Sequence, residues 1–278
     1  MSGKYFIKNG ELTAIEKATV SLFNIEYAYG FGVYETIKLQ HGVIYFVEDH
    51  VTRLMESAKE IGIQHEFTEI KIIKDLHLLA TSNGVASANI KILLMGAKKP
   101  ENAELFILML NPLYPNKKLY SEGARTTTLQ YERLFPRAKT LNMLGSYLAF
   151  KKAKENGCYD TLLLDKTNNI TEGTKTNFFA IRDKTIFSPP ENRILNGITR
   201  KIILYVARKN NFEVVEQNIP LASIATYEGA FLTSTSSKIM PILAIDNFTF
   251  EKINVNLKLL SHLYNEFLEN CGGKFTKE

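Results

Sequence analysis

The sequence predicts an α+β fold in two domains. Three observations carry this. Short apolar strands near the N-terminus are joined by tight-turn signals, and helices intersperse with hairpins instead of alternating singly with strands. A stretch with two prolines and little periodicity, Pro112-Leu-Tyr-Pro115-Asn-Lys-Lys, interrupts the chain, and a second series of strands and helices follows it. The predicted boundaries are a small domain over 1–114, a linker over 115–122 and a larger domain over 123–278. Each domain is long enough to bury a core of its own.

Taken in order, Tyr5–Lys8 and Glu11–Thr13 flank Asn9-Gly10, a strong hairpin signal because both residues tolerate positive φ. Val33–Leu39 and Val43–Val47 flank Gln40-His41-Gly42 in the same way. Asp49 is the predicted cap of a helix with Val51, Leu54, Met55, Ala58 and Ile61 on one face and Gly62 as its stop. A second helix runs from about Thr68 to Asn83-Gly84, with Ile70, Ile73, Leu76 and Ala80 inward. Strands follow at Ile90–Met95 and Glu104–Leu110. After the linker come a strand at Ala124–Leu129, an irregular stretch at Arg133–Lys139 and a helix from about Asn142 to Asn156. Strands are predicted at Thr161–Asp165, Asn177–Ile181 and Thr185–Phe187. A helix at Thr199–Lys209, strands at Val214–Glu216, Ala230–Thr233 and Met240–Ile245, and a helical tail at Val255–Glu269 complete the pattern.

Composition narrows the function. The chain has 278 residues, 45% hydrophobic and 23% charged, which excludes a disordered or collagen-like protein. Its 34 Lys+Arg against 29 Asp+Glu give a net charge of +5, scattered without a basic run. That argues against nucleic-acid binding and suits an anionic small molecule. Cys158 and Cys271 are far apart, so neither a disulfide framework nor a metal cluster is expected, and the compartment reads as reducing and cytoplasmic. No apolar run is long enough to span a membrane. Gly30-Phe-Gly32-Val33-Tyr34-Glu35 starts like a dinucleotide fingerprint, but Glu35 replaces the third glycine and a strand follows.

Three segments carry more polar chemistry than a turn needs. Thr171-Glu172-Gly173-Thr174-Lys175-Thr176-Asn177 places a carboxylate, hydroxyls and an amide before an apolar strand. Leu195-Asn196-Gly197-Ile198-Thr199-Arg200 places glycine and threonine at a helix start, where free N–H groups and the helix dipole favour an anion. Thr233-Ser234-Thr235-Ser236-Ser237 ends a strand with five consecutive hydroxyls. Two such element ends would suit a phosphate.

Together these segments resemble the class IV, fold-type-IV pyridoxal-phosphate enzymes. That family includes branched-chain aminotransferases, D-amino acid aminotransferases and aminodeoxychorismate lyases. Phe231-Leu-Thr-Ser-Thr-Ser-Ser-Lys-Ile-Met-Pro241 and Asn177-Phe178-Phe179 belong to the same resemblance. So do Gly30–Ile37, His50-Val-Thr-Arg53-Leu and Ala138-Lys139-Thr140-Leu141-Asn142, and it covers nearly the whole chain. It implies a small N-terminal α/β domain, a larger C-terminal domain with a barrel-like sheet, a pyridoxal 5′-phosphate in the interdomain cleft, and a homodimer.

The resemblance also implies roles. Lys139 would form the internal aldimine and then, once freed, move the substrate Cα proton, which requires an unprotonated amine. Glu172 would face the pyridine nitrogen, and Arg53 would clamp the phosphate. Ile198, Thr199, Ser234 and Thr235 would complete the phosphate cradle. Tyr34 would wall the site, and Lys91 stands near the place where branched-chain enzymes carry a carboxylate-binding arginine. Met95 stands where D-amino acid aminotransferases carry theirs. Met143 stands near the place of a cofactor-contacting tyrosine. The expected reaction is amino-group transfer between a branched-chain or other apolar L-amino acid and a 2-oxo acid. The alternatives are a pyruvate-releasing aminodeoxychorismate lyase, a D-selective transaminase and a silent member that only binds.

Overall fold

The computed structural model describes residues 3–112 and 114–275. By its internal contacts the chain divides into two compact units, neither continuous in sequence. One gathers Met1–Leu113, Ala138–Met143 and Cys271–Glu278, and the other Tyr114–Arg137 and Leu144–Asn270.

The first unit contains β1 (Tyr5–Lys8), β2 (Glu11–Ala14), a short α1 (Ile25–Ala28), β3 (Gly32–Gln40), β4 (Val43–Ile44), α2 (Val47–Glu60), α3 (Glu69–Asn83), β5 (Ala88–Met95) and β6 (Glu104–Leu110). The strands form one antiparallel sheet in the order β2-β1-β6-β5-β3-β4. Asn9 (φ 51°) and Gly10 (φ 86°) make the first hairpin turn, as the Asn-Gly pair predicts. Strand alternation puts Ile37, Ile90, Ile92 and Ile107 on one face. There they form a single core with Val51, Leu54 and Ala58 of α2 and Ile72, Leu76 and Leu79 of α3. Each buried Val, Leu or Ile there contributes about 1.5–3 kcal/mol by leaving water.

Two local expectations are corrected here. Helix α2 begins at Val47, not after an Asp49 cap, and Val47 is therefore no strand residue. Its N-cap is Phe46 at φ 56°, whose N–H donates to Gly273 O at 2.6 Å. A buried aromatic with an outside backbone partner starts this helix where a polar side chain was expected. In α3 the buried stripe is Ile72, Asp75, Leu76 and Leu79, while Ile70 is 69% exposed. Lys71 pairs with Asp75 and also donates to Gly10 O, which ties the helix to the first hairpin.

The second unit contains α4 (Lys118–Glu122), β7 (Ala124–Gln130), α5 (Leu144–Glu155), β8 (Asp160–Leu164), β9 (Ile170–Gly173), β10 (Asn177–Arg182), β11 (Thr185–Ser188), α6 (Ile198–Lys209), β12 (Glu213–Glu216), β13 (Gly229–Ser234), β14 (Lys238–Ile245), β15 (Phe248–Thr249) and α7 (Val255–Asn270). The path β10-β13-β14-β7-β8-β9 closes on itself, because β9 also pairs with β10 through Glu172 and Asn177. The result is a six-stranded barrel, from which β11 and β12 continue outward and to which β15 adds at β14. Alternate residues of its strands, among them Leu162, Phe178, Ala180, Leu232, Met240 and Ile242, pack into one core. Residues of the opposite parity face outward, where Phe179 stacks on Phe231 at 4.8 Å. The barrel carries a strand absent from the sequence reading, β9, since Thr171–Gly173 there belonged to a polar loop.

Candidate active site

Two clusters hold the residues singled out by the sequence, one in each unit. The first is built on β3. Its Tyr34 N–H donates to Lys139 O at 2.9 Å, and Leu141 N–H donates to Gly32 O at 2.8 Å. The segment Ala138–Met143 thus lies against β3 like a short added strand, bridged at Val33 and Thr140. Lys139 N–H also donates to Ser57 Oγ of α2 at 3.1 Å. Three hydrogen bonds therefore fix the peptides around Lys139 while the residue stays half-buried.

Lys139 Nζ lies 4.5 Å from the centroid of the Tyr34 ring. Lys91 Nζ, one strand over on β5, lies 3.5 Å from the same centroid. Register explains the meeting: Thr36 pairs with Lys91 and Tyr34 with Leu93, so all four share the sheet face opposite the helices. Tyr34 is 8% exposed and its hydroxyl donates to Met143 Sδ at 3.8 Å. One aromatic ring therefore supports two amines, each in cation–π range. Met95, by contrast, is fully buried with Phe6 and Phe106 in an apolar cluster.

Beneath the sheet, Arg53 meets Glu35. Arg53 Nε donates to Glu35 Oε1 at 2.7 Å and a terminal nitrogen donates to Oε2 at 2.8 Å, a two-pronged pair. His50 Nδ1 lies 2.7 Å from the same Oε2. All three side chains are buried. Burial alone would raise the Glu35 pKa, but Arg53 and His50 hold it well below the usual carboxylate range. Burial pushes the His50 pKa down, against the pull of Glu35. Two of the five Arg53 donors are thus committed to Glu35.

The second cluster lies on the barrel. Directly paired residues share a face, so the pairings Glu172–Asn177, Asn177–Thr233 and Thr233–Ile239 set one lateral row across β9, β10, β13 and β14. Glu172 Oε1 accepts from Arg133 Nε at 2.7 Å, and Oε2 accepts from the Leu195 N–H at 3.1 Å. Asn177 Nδ2 donates to Leu195 O at 2.7 Å. Leu195 is therefore held at both its N–H and its carbonyl, which fixes the approach to α6. Gly197 is the N-cap of α6, and a Cβ there would stand 2.1 Å from Asn177 Oδ1. Ile198 and Thr199 follow in the first turn, whose N–H groups have no intrahelical acceptor. Ser234 and Thr235 sit at the β13–β14 turn, where Ser234 Oγ accepts from Ser237 N–H at 3.1 Å and lies 2.7 Å from Ser237 Oγ.

The turn that follows Glu172 has its own anchor. Asp160, buried at the start of β8, accepts from Thr174 Oγ1 at 2.5 Å, Thr176 Oγ1 at 2.9 Å, Thr161 N–H at 2.8 Å and Thr174 N–H at 3.3 Å. Burial raises its pKa despite these bonds.

Sequence reasoning assigned roles to Lys139, Tyr34, Lys91, Glu172 and the α6 start. It assigned none to Arg133, His50, Asp160 or Ser57. Glu35 was noted as a break in one motif and within the Gly30–Ile37 resemblance, with no role of its own, although a carboxylate among Val33, Ile37 and Leu39 on a buried face was the available signal. Arg133 lies in an aperiodic stretch and offered none. Among the described residues no group of His, Cys, Asp and Glu could hold a metal ion, and no helix is long and apolar enough to cross a membrane.

The fold and these clusters define a fold-type-IV aminotransferase, and the similarities to known proteins agree. The class IV amino-transferase family model matches residues 32–245, so the chain belongs to that family. It is 30% identical over 252 residues to a putative branched-chain-amino-acid aminotransferase of Methanocaldococcus jannaschii, covering 86% of each chain. It is also 30% identical over 253 residues to the D-alanine aminotransferase of Staphylococcus epidermidis, covering 87% of this chain and 89% of that one. The branched-chain aminotransferase of the thermophilic archaeon Thermoproteus uzoniensis, solved with norvaline, shares the fold. Its TM-score is 0.86 at 25% identity, over 96% of this chain and 95% of that one. The protein is an enzyme that transfers amino groups between amino acids and oxo acids.

Proposed function

We propose that the protein uses pyridoxal 5′-phosphate to transfer the amino group of a branched-chain or other apolar L-amino acid to a 2-oxo acid such as 2-oxoglutarate. The observation that carries this is the pair of amines on Tyr34, Lys139 at 4.5 Å and Lys91 at 3.5 Å. One is a nucleophile that can also carry a proton, and the other is a fixed cation for a carboxylate.

The residues present suit the cofactor. A glycine N-cap packed against Asn177, a helix start and a turn of hydroxyls offer donors to a phosphate. Glu172, held by Arg133 and the Leu195 N–H, offers a fixed carboxylate to a protonated ring nitrogen. When bound, the cofactor carries the amino group and draws electrons from the substrate Cα.

The chain's own residues do the rest. Lys139 would hold the cofactor through its amine, would yield that place to the substrate amine, and would then take and return the Cα proton. Ile198, Thr199, Ser234 and Thr235 hold the phosphate. Arg53, oriented by Glu35, supports that end with its charge. Lys91 binds a substrate carboxylate, and Tyr34 orients both lysines.

The D-alanine aminotransferases are as similar in sequence, but Met95 supports the L-selective reading because it lies in an apolar cluster and supplies no cation. We also read the two units as the two domains, the compartment as cytoplasmic and the assembly as a homodimer. The exposed Leu22, Phe23 and Tyr29, at 96%, 97% and 76%, support self-association. The deciding test is the visible absorbance of the protein with pyridoxal 5′-phosphate before and after L-leucine or D-alanine. Bleaching by L-leucine alone is expected. Bleaching by D-alanine alone would reverse the stereochemical assignment, and a band that ignores both would leave the lyase.

A further inference from the structure

We propose that the second unit carries a separate binding site for a small carboxylate with an apolar body, placed behind the Ser234–Ser237 turn. The site is a cavity of about 280 Å³ between α4, the start of β14 and α7. Two basic residues, Lys238 and the exposed Lys258, line it together with the neutral polar residues Ser261 and Asn265. Among the described residues, none that lines it is acidic. The remaining wall is Ile239, Pro241 and the rings of Tyr120 and Tyr264. Two cations beside an apolar wall match an anion with a hydrocarbon portion better than inorganic phosphate, which would leave that wall wet.

Lys238 is built into this site. It is half-buried at φ 55°, a left-handed conformation that a non-glycine side chain adopts at a cost. Its ammonium group donates to Asn265 Oδ1 at 2.7 Å. Burial lowers its pKa, with Glu269 opposing the shift. Asn265 is a neutral partner, so a carboxylate that takes its place gains a full charge–charge contact.

The cavity is tied to the turn assigned above to the cofactor phosphate. Tyr120 Oη donates to Ser237 O at 3.0 Å, and Lys238 pairs with Ser234 at the base of the same hairpin. A ligand that draws on Tyr120 or Lys238 therefore acts on Ser234 and Thr235. The coupling is reciprocal, so a carboxylate in the cavity changes how firmly the cofactor is held. This coupling rests on the cofactor reading, whereas the site itself does not.

The test titrates the cofactor-loaded protein with 3-methylbutanoate by calorimetry and measures the rate of cofactor loss in its presence. That probe has neither an amino nor an oxo group and cannot be turned over. Two binding events per chain are expected. Lys91→Met should remove one of them. Lys258→Glu and Ser261→Trp, which reverse a cavity charge and fill the cavity, should remove the other and keep the wild-type transamination rate. Cofactor loss should change at least threefold with the probe in the wild type and in Lys91→Met, and not in the two cavity variants. A single event abolished by Lys91→Met, or binding unaffected by both cavity variants, overturns the site. Calorimetry needs no turnover, so it decides the cavity even if the amino-transfer reading fails.

Discussion

At the scale of single residues, the buried ion cluster under β3 gives a sharp expectation. Glu35 is fully buried between Arg53 and His50, at 2.7–2.8 Å from each. Glu35→Gln keeps the volume and removes the charge, leaving a guanidinium buried without its carboxylate. Such losses cost about 3–5 kcal/mol. Urea unfolding of the cofactor-free protein should show a fall of that size, and a fall below about 1 kcal/mol would mean that Arg53 is balanced elsewhere. Lys91 sets a second expectation. Lys91→Met should raise KM for amino and oxo acids by about ten- to a hundredfold, the worth of one hydrogen bond to a charged group, with a smaller change in kcat. Lys91→Arg should keep most of the affinity because it keeps the cation. Equal losses in both variants would point to a packing role on Tyr34 instead.

At the scale of elements, most strands and helices were legible because their signals are local. The Asn9-Gly10 hairpin, the cap of α3 at Thr68 and the stop at Gly84 are chemistry written within a few residues. The start of α2 was not legible, since its cap is Phe46 and its partner, Gly273, is supplied from far along the chain. Strand β9 was hidden for a related reason. Glu172 and Gly173 have poor strand credentials, and pairing with β8 and β10 makes the segment a strand. The candidate site divides in the same way. Its motif residues were readable in order, whereas Arg133, His50 and Asp160 act through contacts with residues distant in sequence. The start of α6 offers a test at this scale. Gly197→Ala would push Asn177 off Leu195 O, because the new Cβ falls 2.1 Å from its side-chain oxygen. Cofactor affinity, measured by fluorescence titration, should drop at least about tenfold. The melting temperature of the cofactor-free protein should move little. Unchanged affinity would remove the α6 start from the phosphate assignment.

At the scale of the whole molecule, the buried titratable groups set the response to acid, and their signs differ. His50 has its pKa lowered from 6.5 by burial, so the unfolded chain binds the extra proton first. Stability from this group is present above pH 6.5 and is lost as pH falls below it. Glu35 and Asp165 act in the same direction at lower pH. Burial works to raise both, but Arg53 and His50 hold Glu35 far below its ordinary 4.5, and Asn169 and Thr167 hold Asp165 at about 2. Asp160 works the other way. Its pKa is raised by burial, so the folded chain takes up the proton first and gains stability as pH falls toward 3.8. The denaturant midpoint should therefore hold steady above about pH 6.5 and decline below it, with a second fall below about pH 4.5. Asp160→Asn removes this opposing contribution and should make the acid limb steeper, even though it also loosens Thr174 and Thr176 at neutral pH. Paired unfolding curves at about pH 7.5, 6, 5 and 4 for wild type and Asp160→Asn decide the matter. If the variant's loss across that range is no greater than that of the wild type, Asp160 is ionised at neutral pH without penalty. The four hydrogen bonds that it accepts would then outweigh burial.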